Sequence, residues 1–77
     1  MKRVTFASLE ELKVHCQEHE LSLVIEYQDE VKKQRQVVLA GERLTDADTY
    51  LGMPGAMAYY RRDGVFYEVI PAWQRGG

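Results

Sequence analysis

Cysteine is almost missing from this 77-residue chain: Cys16 stands alone. A single thiol has no partner for an internal disulfide, which excludes a disulfide-stapled scaffold and points to a reducing compartment, the cytoplasm. Long apolar runs are missing too. Nothing approaches the roughly 18 consecutive apolar residues of a membrane span, so no membrane partner is expected. The opening Met1-Lys2-Arg3-Val4-Thr5-Phe6 lacks the apolar stretch of a signal peptide. There is no excess of positive charge either. Ten Lys and Arg stand against twelve Asp and Glu, giving a net charge of −2, which argues against a general polyanion binder. What is present suffices for a core: 45% of residues are hydrophobic and 29% are charged, outside the range of disordered chains. The length allows one small domain, residues 1–77, that buries roughly 60% of its unfolded surface.

The pattern along the chain predicts the order β-α-β-β-(short helix)-β-β. Lys2–Phe6 is a short strand with Val4 and Phe6 on one face. Ser8-Leu9-Glu10-Glu11 forms a capping box, in which the Ser8 hydroxyl accepts the Glu11 N–H and the Glu11 carboxylate reaches back. The helix it starts should run to about Glu20, burying Leu9, Leu12 and Cys16, with His19 at the edge of the stripe. Leu21–Gln28 alternates as a half-buried strand, and Gln34–Ala40 pairs with it as a hairpin. Thr45-Asp46-Ala47-Asp48 reads as a small capping motif for a short helix ending near Gly52. Asp63-Gly64 then supplies a type I′ turn. That turn sets Ala58, Tyr60, Val65, Tyr67 and Val69 on one face. Met57, Tyr59, Arg61, Phe66, Glu68 and Ile70 fall on the other. The expected fold class is α+β: a small, mainly antiparallel sheet of four to five strands with one long helix packed on one face. Lys2–Phe6 can pair with either hairpin.

Four features carry possible chemistry. His15-Cys16-Gln17-Glu18-His19 fits H-x-x-E-H, in which two His one turn apart bind zinc. The chain has no further His and no second long helix, so the expectation is a solvated helix end and no metal. Cys16 lies late in the helix on the apolar stripe, where a core filler is expected rather than a nucleophile. Asp46 and Asp48 have the gap of a calcium loop, but the residues that follow bring no Glu ligand, and helix capping explains them. Tyr59-Tyr60-Arg61-Arg62 with Phe66 and Tyr67 interleaves aromatics with arginine. That pattern suits base stacking, with Lys32, Lys33 and Arg35 at the other hairpin tip extending a basic patch. It suits a protein interface better in a near-neutral chain, because Tyr and Arg are the residues that anchor interfaces.

The chain ends Gln74-Arg75-Gly76-Gly77. A terminal diglycine can thread an adenylating site and be activated at its carboxylate. This ending resembles that of ubiquitin and of small sulfur carriers. Leu39-Ala40-Gly41-Glu42-Arg43-Leu44-Thr45-Asp46 is similar to the ubiquitin stretch in which a strand closes on Ala-Gly before a Leu and an acidic residue. The resemblance implies Gly77 as the activated residue and Gly76 as its required neighbour. The chain departs from that family in placing one strand, not two, before the long helix.

The function expected from these residues is a small non-enzymatic interaction module, with no cofactor, acting as an adaptor, accessory or inhibitory protein. It would dock on a protein partner or on a second copy of itself through the C-terminal hairpin, with Tyr59, Arg61, Phe66 and Glu68 at the contact. A tail-activated carrier and single-stranded nucleic-acid binding are the alternatives.

Overall fold

A computed structural model describes residues 1–74. Five strands form one sheet: β1 (Lys2–Phe6), β2 (Leu23–Gln28), β3 (Gln34–Leu39), β4 (Met57–Arg62) and β5 (Val65–Pro71). Helix α1 (Leu9–Glu18) follows β1. A 3-10 segment (Gly41–Asp46) and helix α2 (Ala47–Leu51) link the two hairpins. The spatial order is β1-β5-β4-β2-β3.

Two expectations need correcting. The sheet is mixed rather than mainly antiparallel, because edge strand β1 runs parallel to β5, pairing Val4 with Val69 and Phe6 with Pro71. Periodicity in a five-residue strand gives its facing but not its direction. The helix is also short, ten residues rather than one long helix to Glu20. It stops in a C-terminal motif that contains no glycine. Glu20 takes φ 53°, its N–H bonds the Gln17 carbonyl, and the Leu21 N–H bonds the Cys16 carbonyl at 2.8 Å. This is the Schellman arrangement, which satisfies the last carbonyls and brings the two flanking apolar residues together. Here those residues are Cys16 and Leu21, both buried.

The N-terminal cap forms as the residues dictate. Ser8 Oγ accepts from the Glu11 N–H at 3.1 Å. The Glu11 carboxylate reaches back one residue further than expected, to the Ala7 N–H at 3.3 Å. The Asp63-Gly64 turn has positive φ at both residues, 52° and 78°, and pairs Arg62 with Val65 through to Ala58 with Val69. That is the register a two-residue I′ turn imposes. The linker differs from expectation. Asp46 caps α2 without a side-chain bond, and Gly52 ends it at φ −82°, outside the left-handed region.

One side of the sheet supplies Phe6, Leu23, Ile25, Leu39, Ala58, Tyr60 and Val69 to the core. Leu12 and Cys16 of α1, Leu44 of the 3-10 segment, and Ala47 and Leu51 of α2 cover them. Strand residues alternate between faces, so the opposite face of the sheet is left without a helical layer. The fold is two layers deep, and one layer is half uncovered. No helix among the described residues is long and apolar enough to cross a membrane.

Candidate docking face

The uncovered face is set by register. Val38 pairs with Val24, Val24 with Tyr59, Tyr59 with Glu68, and Glu68 with Arg3, making one row across all five strands. Two residues along the strands in one direction lie Gln36, Glu26 and Met57, with Ile70 paired to Thr5. In the other direction lie Arg61 and Phe66, paired with each other. Large apolar side chains stand in solvent here: Val38 is 48% exposed, Phe66 44% and Met57 36%. Burying such side chains gains about 25 cal/mol per Å² of apolar surface, so a face of this kind has association free energy in reserve.

The residues expected at the contact lie together on this face. Tyr59 is half-buried and Phe66 is exposed, with their rings edge-to-face at 6.0 Å. Arg61 is exposed, its guanidinium 5.8 Å from the Phe66 ring centre. Glu68 is half-buried and pairs with Arg3 at 3.4 Å. The Tyr59 hydroxyl donates to Glu26 Oε2 at 3.0 Å, a residue not singled out from the sequence. Burial first, and then that carboxylate, push the Tyr59 hydroxyl above its ordinary pKa. It therefore stays a neutral donor at physiological pH. Among the described residues Arg61 has no carboxylate within 4.0 Å.

The same strand directions divide the basic residues. Because β2 and β4 are antiparallel, the turn holding Lys32 and Lys33 and the turn at Asp63-Gly64 sit at opposite ends of the sheet. Arg35 is engaged as well, donating to Asp29 at 2.8 Å. That carboxylate also takes the Val31 and Lys33 N–H groups, so it organises the turn. The single basic patch anticipated for a nucleic-acid reading is not assembled.

The remaining leads resolve into structure. His15 is not on a solvated helix end. Its ring lies against Phe6 and Tyr60, and its Nε2 is 3.2 Å from the Tyr60 hydroxyl. Burial, then His19 and Arg62 nearby, lower its pKa. No group of three metal-ligating side chains occurs among the described residues. Cys16 is fully buried, and desolvation raises its thiol to about 11, so it is protonated at neutral pH. Asp48 does not cap a helix end, the role expected from the sequence; it lies inside α2. It accepts from Trp73 Nε1 at 2.8 Å and Gln74 Nε2 at 2.6 Å, fastening the chain after β5 onto α2. The sequence does not announce this contact, since a Trp-Gln pair bonded to an Asp 25 and 26 residues away leaves no local signature. Gly76 and Gly77 lie outside the described residues. An open groove of about 540 Å³ between the Asp29–Val31 turn and Met53-Pro54 is lined largely by apolar surface and gathers no reactive set.

Comparison with protein-family models, with curated proteins and with solved structures finds no match. The site therefore stands on its own geometry.

Proposed function

We propose that this chain is a non-enzymatic protein-interaction module that docks through the uncovered face of its sheet, centred on the C-terminal hairpin. Tyr59 and Phe66 anchor the contact, Arg61 supplies the charge beside them, and Glu68 with Arg3 forms the rim. The observation that carries the reading is the uncovered face itself: Val38, Met57 and Phe66 stand exposed on one side of the sheet, while α1, the 3-10 segment and α2 pack on the other. Apolar patches rimmed by polar groups mark interaction surfaces on small proteins. Aromatic and arginine side chains at the centre of such a patch supply most of the binding free energy. The net charge of −2 gives no positive field that would favour nucleic acid over protein.

A photo-cross-linking amino acid placed at position 66, in cells that make the protein, is expected to give a discrete protein adduct. The same group at position 10, an exposed position of α1, is expected to give none. No adduct at position 66, or equal adducts at both, would overturn the proposal.

A further inference from the structure

We infer that the partner seated on this face is a second copy of the chain, in a two-fold dimer that pairs Arg61 of each copy with Glu26 of the other. The inference rests on the docking reading above and names its occupant. A two-fold interface must be self-complementary, since each patch meets its own image. This face meets that demand in charge. It holds two cations, Arg3 and Arg61, and two anions, Glu26 and Glu68. Arg3 and Glu68 neutralise each other within the chain. Arg61 is left without a carboxylate among the described residues, and Glu26 is held only by a tyrosine hydroxyl.

The positions are also right. Tyr59 and Val24 are directly paired on β4 and β2. Arg61 lies two residues from Tyr59 toward one end of the sheet, and Glu26 lies two residues from Val24 toward the other. The midpoint between the two charges thus falls on the Val24–Tyr59 pair, in the apolar middle of the face. A two-fold axis above that midpoint, parallel to the sheet and perpendicular to the line joining the charges, sets each site over the other site of the second copy. Strand spacing and rise put Arg61 and Glu26 about 14 Å apart along a line about 20° from the strands. The same axis sets Tyr59 near its own image and encloses Val24 and Met57. Five strands of six residues give a face of about 24 by 20 Å. Even complete overlap of two such faces buries only about 1,000 Å² in total, in the range of weak, transient interfaces. A reversible, concentration-dependent dimer is what that area supports.

Sedimentation equilibrium of the full chain across about 1–500 μM tests this directly. The expected result is a mass rising from monomer to twice that value. Arg61→Glu and Glu26→Lys are each expected to weaken dimerisation about tenfold or more, and the two together to restore most of the loss. Circular dichroism checks that each variant is folded. Phe66→Ala, which leaves the Tyr59–Glu26 bond intact, is a further variant expected to weaken the dimer. A dimer unaffected by all of these uses another surface and overturns the inference. A chain that stays monomeric throughout, while position 66 cross-links to a different protein, overturns the dimer but leaves the docking reading in place. A monomer with no adduct at position 66 removes both.

Discussion

Removing the Asp48 carboxylate should release the end of the chain from α2, and the effect can be sized from the structure. Asp48 accepts two side-chain hydrogen bonds, from Trp73 at 2.8 Å and Gln74 at 2.6 Å. Bonds to a charged acceptor contribute about 1.5–3 kcal/mol each when shielded, but Asp48 is exposed and water competes for it. About 1–2 kcal/mol for the pair is the reasonable expectation for Asp48→Ala. In a chain of this size that lowers Tm by about 4–16 °C. Trp73 is the only tryptophan, so its fluorescence reports on this end of the chain, where the ring bonds Asp48 and packs against the core. The indole bond, then the Gln74 bond, hold the Asp48 carboxyl below its usual pKa. A depressed carboxylate stabilises the fold fully above the unfolded value, near pH 4, and the contribution is lost as pH falls through the lower folded value. Wild type should show a shift in Trp73 emission in that acid window before global unfolding, and Asp48→Asn should show none. Unchanged Tm and emission in Asp48→Ala would refute the reasoning.

Two further outcomes follow from local strain and burial. Glu20→Gly should stabilise the fold by about 0.5–1 kcal/mol in urea unfolding, since glycine takes the left-handed φ of 53° without the clash that a Cβ meets; a loss of stability would mean that the Glu20 side chain matters more than its backbone. His15 has a lowered pKa because it is half-buried beside Phe6 and Tyr60, near His19 and Arg62. The unfolded chain takes up its proton first, so stability should fall as pH drops from about 6.5 toward the lower folded value. His15→Gln should flatten that slope, and an equal slope in the variant would assign it elsewhere.

The parts of the fold readable from sequence were those fixed by neighbours in the chain. Ser8 and Glu11 marked the helix start because a cap is a three-residue interaction. Asp63-Gly64 gave the full pairing of β4 with β5, because a two-residue turn leaves one register. The two faces of that hairpin followed from alternation alone. What escaped depended on distant partners. The direction of β1 is decided by β5, more than sixty residues away. The end of α1 depends on Leu21 reaching the core, which tolerates a left-handed Glu20 where glycine is the usual signal. Alternation alone puts Tyr59, Arg61, Phe66 and Glu68 on one side of the hairpin, but it does not reach Glu26, which only the β2–β4 pairing brings beside Tyr59.

The central claim is that the bare side of the sheet is covered when the protein is at work. Hydroxyl-radical footprinting tests it most directly, comparing the chain inside producing cells with the purified chain at nanomolar concentration. Met57 and Phe66 should be labelled strongly in dilute solution and protected in cells, while Met1 and Val31, exposed elsewhere on the molecule, react equally in both. Equal labelling of Met57 and Phe66 in the two settings would contradict the claim.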